Sequence, residues 1–251
     1  MPSYLDRARA NSFGSVAELY ESSRPRYPDA LITDLVTRPG LRVLDVGAGT
    51  GIASVQLAAA GADVLAVEPD SHMAAVASGK GIVVEEAFFE DWDPRNRHFD
   101  LVVFAQSFHW VEPHVALEKI ARVLNPGGRL ALIWNRIATI DPPEEVFTEI
   151  HSRVRAESLS SAEQQAVRAS KSAENAQAVI ESSGFHVERF EYPTELHYSA
   201  DEYLDMVFTY SRQVILDQAT RDTLRARLAE PIGSGGVVAR NTAIAIICTP
   251  G

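Results

Sequence analysis

The chain has 251 residues, 46% of them hydrophobic, and a net charge of −11. That size suits one large α/β domain with room for a sizeable core, while an acid excess without any run of Lys and Arg argues against nucleic acid, whose phosphates must be neutralised. The single cysteine, Cys248, excludes a disulfide framework and a cysteine-based zinc site; no stretch approaches the ~18 apolar residues of a membrane span, and the opening Met1–Arg7 lacks an apolar h-region, so the expectation is a cytoplasmic protein.

Strand-like and helix-like segments alternate from residue 41 to 136, the pattern of βαβ units. Arg42–Val46 reads as the first strand and Gly51–Ala60 as a helix closed by Gly61. Val64–Glu68 is the second strand, Ser71–Ser78 a short helix, and Ile82–Glu85 the third strand. Leu101–Ala105 is an almost pure apolar run, as in strands covered on both faces. Val115–Leu124 is a helix with Leu117, Ile120, Ala121 and Leu124 on one face, and Asn125-Pro126-Gly127-Gly128 a turn before a fifth strand, Arg129–Trp134.

After Trp134 the pattern breaks. Pro142-Pro143 opens a helix with Val146, Ile150 and Val154 on one face, and Ser172–Ser183 resumes the helical layer. Phe185–Leu196 is a sixth strand. Asp201–Glu230 reads as two helices, the first striped by Leu204, Val207, Phe208 and Ile215, and Val237–Thr249 is the seventh strand. The expectation is a single domain over 1–251. A cap (1–40) precedes a ligand-binding core (41–136). Lid insertions occupy 137–170 and 201–236, and the rest of the sheet comes from 171–200 and 237–251.

The most informative stretch is Val43-Leu44-Asp45-Val46-Gly47-Ala48-Gly49-Thr50-Gly51. Its turn is G-x-G-x-G, whereas a dinucleotide fingerprint needs G-x-G-x-x-G, whose last glycine would fall at Ile52. Asp45 stands two residues before the first glycine, where it would repel a pyrophosphate and attract an ammonium group. S-adenosylmethionine (SAM) carries such a group and no phosphate. The stretch closely resembles the first motif of class I SAM-dependent methyltransferases. Glu68, about twenty residues beyond the loop, stands where a ribose-binding acid is expected for either cofactor.

The resemblance implies a Rossmann-like seven-stranded sheet of order 3-2-1-4-5-7-6 with an antiparallel last strand and helical lids. It implies SAM as cofactor and S-adenosylhomocysteine as product, bound past the carboxyl ends of the strands. Asp45, Gly47, Ala48, Gly49 and Gly51 then serve the methionine end and Glu68 the ribose, with Pro69 and Met73 alongside; Met73 packs on the adenine or in the core. Counting back from Phe99-Asp100 puts the family's adenine-contacting pair at Phe88 and Phe89. Phe88 replaces the usual acid, so recognition falls to the Phe89 amide and ring packing, or to Glu90 or Asp91.

Ala105-Gln106-Ser107-Phe108-His109-Trp110 follows strand four. The N/D-P-P-aromatic motif of nucleobase-amine methyltransferases is absent there, and Phe-His-Trp is similar to a small-molecule branch that includes trans-aconitate methyltransferase-like proteins. Phe13–Tyr20, Arg24-Pro25-Arg26-Tyr27-Pro28 and Phe208-Thr209-Tyr210-Ser211 resemble the same branch. Ala105 and Gln106 join the cofactor set. Tyr20, Arg24, Tyr27, His109, Trp110 and Tyr210 form the acceptor set. His109 is a general base or orients Trp110. One of Arg24 and Arg26 pairs with a carboxylate of substrate or cofactor, or both are surface cations. Tyr20 and Tyr27 line the transfer pocket or pack the N-terminal helix. His109 and His114 lack ligand partners at metal-site spacing, so no metal is expected. The function expected is methyl transfer to a small molecule, with an oxygen nucleophile such as a carboxylate or hydroxyl. The alternatives are a non-catalytic SAM-binding protein and, disfavoured by Asp45 and Ile52, a nicotinamide-dependent oxidoreductase.

Overall fold

The computed structural model describes residues 17–158, 180 and 183–250, with backbone alone for 155–158 and 211–212. The expected helix at 172–183 and the Phe13–Val16 part of the opening motif lie outside them, apart from Ile180 and Ser183.

Two short helices, α1 (Ala17–Ser23) and α2 (Asp29–Leu35), lead into β1 (Arg42–Val46). Then come α3 (Ile52–Ala59), β2 (Asp63–Val67), α4 (Ser71–Gly79), β3 (Val83–Glu85), β4 (Phe99–Ala105) and a 3₁₀ turn (Phe108–Trp110). The second half holds α5 (Pro113–Val123), β5 (Leu124–Asp141), α6 (Glu144–Ser158), β6 (Phe185–Tyr198), α7 (Ala200–Val207), α8 (Ser211–Val214), α9 (Gln218–Ile232) and β7 (Val237–Pro250). The seven strands form one sheet of order β3-β2-β1-β4-β5-β7-β6. Strands β1 to β5 run parallel, and β7 inserts antiparallel between β5 and β6. This is the order and the antiparallel last strand that the resemblance implies.

The sheet is central because its strands are apolar on both faces. Leu44, Val102, Phe104, Leu130 and Leu132 are buried on one side with α5, and Val43, Leu101, Val103, Ala131 and Ile133 on the other with α2 and α3. Each large side chain so buried stabilises the fold by about 1.5–3 kcal/mol. Helix α5 begins at Pro113, capped by the Glu112 side chain, which accepts from Val115 N at 2.6 Å. It buries Ala116, Leu117, Ile120 and Val123. Ala121, expected on that face, is exposed, because the buried stripe runs one residue earlier.

Three boundaries differ instructively from the expectations. Strand β5 does not stop at Trp134 but runs to Asp141, antiparallel to β7 throughout. Beyond Trp134 its exposure alternates, with Asn135, Ile137 and Thr139 partly buried and Arg136, Ala138 and Ile140 exposed. One face is solvated there, so the apolar run ends although the strand does not. The Asn125–Gly128 turn is a break of register inside the β5 span, between Phe99 and Leu101 of the partner strand, with Gly127 at φ +76°. Three helices rather than two follow β6, and Ile215 is 53% exposed, since α8 turns it away from the stripe that buries Leu204, Val207 and Phe208.

Helices α6, α7 and α9 pack together through Phe147, Val154, Tyr203, Leu204, Leu224, Leu228 and Ile232. The face they share also receives Ile137, Tyr198 and Tyr210, so this helical lobe stands at the strand ends of β5 and β7. Among the described residues no helix is long and apolar enough to cross a membrane.

Candidate functional site

A cleft of about 210 Å³ lies past the carboxyl ends of β1, β2 and β4, the place where open α/β sheets bind ligands. Its floor is the glycine turn. Gly47 sits at φ +66° and Gly49 at φ +58°. A Cβ on Gly47 would come within 2.6 Å of Ser107 Cβ, while one on Gly49 would meet open space. The first glycine therefore lets β4's following turn approach, and the second leaves the cleft room. Gly47 N and Ala48 N both donate to Val67 O, at 2.8 and 3.3 Å, which ties the turn to the end of β2.

Glu68 follows directly. It is only 6% exposed, and its two carboxylate oxygens accept from Gly49 N (2.8 Å) and Asp70 N (2.9 Å). Asp70 in turn caps α4 by accepting from His72 N and Met73 N. Burial pushes the Glu68 carboxyl up to about 7 against the pull of those two amides. Each oxygen keeps a lone pair for a further donor, so the pair of hydroxyls of a ribose fits its chemistry. Val67, Pro69 and Met73 form the apolar wall beside it. Met73, 3% exposed, both touches the cleft and belongs to the core.

The far wall is the 88–92 turn. Phe88, Phe89 and Glu90 line it, but the Phe89 ring is a core group, stacked at 6.1 Å on Trp92 and edge-on at 5.6 Å to Phe104. Glu90 accepts from Glu112 N at 3.0 Å through Oε1.

Asp45 and Gly51 stand behind the site. Asp45 is fully buried, accepts from Ser54 Oγ at 2.6 Å, and is absent from the cleft's lining. Burial pushes its carboxyl up to about 6. Gly51, at φ +81°, starts α3, and a Cβ there would press on Ala77 of α4 at 3.0 Å. Both hold the loop's shape in this structure, Asp45 by fastening it to α3 and Gly51 by admitting α4.

The fourth strand end closes the front. Gln106 sits in the left-handed region at φ +63°, an unusual position for a non-glycine and one where functional sites store strain. Its backbone N–H donates to Ile133 O at 2.9 Å, and Ser107 Oγ donates to Val46 O. These contacts lock the turn that carries His109 and Trp110, whose rings lie 4.8 Å apart and both line the cleft.

A second chamber of about 50 Å³ adjoins the first. The two share Tyr20, Arg24, Gly47, Gly49, Ala105, Gln106 and Tyr210, and the second adds Ala48, Tyr27, Asn135 and Ile137. Arg24 is the cation at the junction. Its guanidinium lies 4.8 Å from the Tyr20 ring centre and 3.9 Å from that of Tyr210. Nε donates to Thr209 Oγ1 (2.7 Å) and Nη2 to Thr209 O (3.1 Å). Arg26 instead pairs with Glu21 at 2.5 Å on the surface, outside both chambers. Tyr27 is placed at both the chamber and the core. It lines the second chamber and is 5% exposed in the core, with its backbone N and O both bonded to the Gln56 side chain. The sequence reading missed Ser107, Asn135, Ile137 and Thr209 as site residues. Asn135 bridges the cap and β7, donating to Pro25 O (3.2 Å) and accepting from Asn241 Nδ2 (2.9 Å).

Residues 44–132 match the methyltransferase-domain family. An uncharacterised methyltransferase of Mycobacterium tuberculosis is 43% identical over 126 residues, covering 49% of this chain and 52% of the relative. The demethylmenaquinone methyltransferase of Beutenbergia cavernae is 39% identical over 108 residues, covering 41% and 44%. The chain thus spans about half the length of the relatives it matches by sequence. Among solved structures, the YcgJ protein of Bacillus subtilis aligns with TM-score 0.55 at 18% identity, over 88% of this chain and 96% of that one. A Haemonchus contortus phosphoethanolamine N-methyltransferase 2, in complex with phosphomonomethylethanolamine and S-adenosylhomocysteine, aligns with TM-score 0.55 at 15% identity, over 99% and 59%. Residues 44–132 are thus similar to the methyltransferase-domain family, and the sheet has the strand order of the Rossmann-like methyltransferase fold.

Proposed function

We propose that this protein transfers a methyl group from SAM to a small-molecule oxygen nucleophile, a carboxylate or a hydroxyl. The supporting observation is the wall that two chambers share. A cleft with a ribose-competent acid has Gly47, Gly49, Ala105 and Gln106 in common with a smaller chamber, and both are lined by the positioned Arg24. Bound in the larger chamber, SAM supplies an electrophilic sulfonium methyl group. Glu68 accepts the ribose hydroxyls, and the 88–92 turn takes the base. The shared wall sets donor and acceptor side by side, and proximity of that kind supplies much of the rate. Tyr20, Tyr27, Tyr210 and Ile137 exclude water. Arg24 binds a carboxylate of the acceptor or of the cofactor. His109 takes the proton from a hydroxyl acceptor; a carboxylate acceptor needs no base.

The test is a screen of small carboxylic acids and alcohols with methyl-labelled SAM. Label released as methanol by mild alkali marks a methyl ester, and alkali-stable label marks an ether. Either result supports the reading. Binding of S-adenosylhomocysteine without transfer to any acceptor would favour a non-catalytic binding protein, and tighter binding of NAD than of S-adenosylhomocysteine would overturn the cofactor assignment.

A further inference from the structure

Lys119 lies on α5, outside both chambers, yet its ammonium reaches into the wall of the larger one. It donates to Phe89 O at 2.7 Å, Glu90 O at 2.9 Å and Trp92 O at 2.6 Å. An ammonium has three protons, and here each has its own backbone carbonyl. All three carbonyls belong to the 88–92 turn, which closes on itself through Asp91 N and Trp92 N, both donating to Phe88 O. The same helix start pins the turn again through Glu112 N and the Glu90 carboxylate. Helix α5 is anchored in the core by Leu117 and Ile120, so the turn inherits the rigidity of the sheet.

This arrangement has a directional consequence. In a trans peptide the C=O and the following N–H point in opposite directions. With Phe89 O held by Lys119, the Glu90 N–H is directed away from α5. Both Phe89 and Glu90 line the cleft. A cation on the carbonyl end of a peptide also polarises it, which strengthens the N–H as a donor. We propose that Lys119 is a positioning residue that orients and polarises the Phe89–Glu90 peptide, so that the Glu90 N–H recognises a purine whose N1 is an unprotonated acceptor. The inference rests on the cofactor reading above and deepens it. It assigns base selectivity to a lysine that touches no ligand. It also accounts for recognition without an acid at Phe88. Adenine offers a bare N1 to such a donor. Hypoxanthine carries a proton there and would oppose it.

The experiment compares S-adenosylhomocysteine with S-inosylhomocysteine by calorimetry, on the parent protein and on Lys119→Met, Lys119→Gln and Lys119→Arg, with thermal melting in parallel. The parent should prefer the adenine ligand by about tenfold or more, the scale of leaving a buried donor unmatched. Lys119→Met keeps the aliphatic stem and removes the charge and donors. It should cut adenine-ligand affinity by about tenfold and leave the inosine ligand nearly unchanged, so the ratio collapses. Lys119→Arg should recover most of the ratio. If Lys119→Met does not fold, Lys119→Gln is read in its place. A ratio unchanged in the folded variant overturns the proposal, even if both affinities and the melting temperature fall, because that is the behaviour of a purely structural staple. A parent that binds S-adenosylhomocysteine with no base preference overturns this inference alone. A parent that binds neither ligand overturns the cofactor reading and this inference with it.

Discussion

The two chambers of this protein are built on different plans. The floor of the larger is made by local sequence: Gly47, Gly49 and Glu68 lie within one βαβ unit, and the hydrogen bonds that tie the glycine turn to the end of β2 join residues at most about twenty apart, while its front wall, Gln106 to Trp110, comes from beyond β4. The smaller is made by the chain returning on itself. Arg24 is held by Thr209, 185 residues away, and Asn135 joins Pro25 and Asn241 across 110 and 106 residues. A site written by adjacent residues tolerates little change of identity, because each backbone angle in the turn is fixed. A site written by long-range docking can change its lining without disturbing the fold. Substitutions in the two chambers should therefore separate turnover, stability and cofactor affinity.

The largest effect should come at the front of the larger chamber. His109 faces the cleft beside Trp110, and acting as a general base on a hydroxyl acceptor it would contribute about 10²–10⁴ in rate. Turnover of His109→Ala should fall by that factor while the S-adenosylhomocysteine dissociation constant stays within a few-fold. A variant running at full rate would reduce His109 to packing and leave acceptor orientation to Arg24, Tyr27 or Tyr210.

Next comes the turn itself. In Gly47→Val the new side chain starts 2.6 Å from Ser107 Cβ at a φ of +66°, a conformation that is a genuine outlier for a β-branched residue. Strain and overpacking together should cost about 2–4 kcal/mol of stability, measured by denaturant titration, and S-adenosylhomocysteine binding should be lost. Unchanged stability and binding would mean that the turn has slack which the close Ser107 approach contradicts.

Glu68→Gln should act less on stability and more on pH. Loss of charge-assisted acceptance from the ribose should weaken S-adenosylhomocysteine binding by about 1–3 kcal/mol. The folded carboxyl titrates near 7, above its ordinary 4.5, because it is buried. The folded state therefore holds the proton more tightly than the unfolded one. That contribution to stability is full below 4.5 and is lost as pH rises through 7. Ligand binding favours the ionised carboxylate, so affinity in the parent should rise between pH 5.5 and 7.5 and then level off. Glu68→Gln should flatten that rise. A rise of equal slope in the variant would assign the titration to another group, with Asp45, near 6, the next candidate.

The difference between the chambers also explains what the sequence disclosed. The order of the sheet followed from resemblance, and the larger chamber was legible because Asp45-Val46-Gly47-Ala48-Gly49 and Glu68 sit at a fixed spacing that only a ligand-binding turn requires. Asp45 was legible as important, yet its carboxyl turns to Ser54 in this structure, a direction that spacing does not encode. Asn135 and Lys119 gave no signal, and Thr209 was legible only as part of a motif, not as the partner of Arg24. Asn135 and Lys119 are single polar residues in a strand and a helix, Thr209 sits in the turn after α7, and the partners of all three are brought near only by the finished fold. The end of β5 was hidden for a related reason. Past Trp134 only one face of the strand is covered, so alternation replaced the apolar run.

The smallest effect, and a discriminating one, concerns the two arginines of the opening segment, which are separated by one residue. Arg24 lines both chambers between two tyrosine rings. Arg26 reaches the surface, its side chain half exposed, and pairs with Glu21, which also holds Lys80 at 2.5 Å. Since Glu21 keeps Lys80 when Arg26 is removed, its carboxylate is not left alone. An exposed pair of this kind is worth about 0–1 kcal/mol, so Arg26→Ala should shift stability by no more than that and leave S-adenosylhomocysteine affinity and turnover at parent values. Arg24→Ala strips Thr209 of two donors and the tyrosines of their cation, and it should lose acceptor saturation or cofactor affinity as well as stability. If the two substitutions prove equal in melting temperature and in kinetics, the docking of α1 over the site is not what positions a cation there. The smaller chamber would then have to bind its ligand by shape alone.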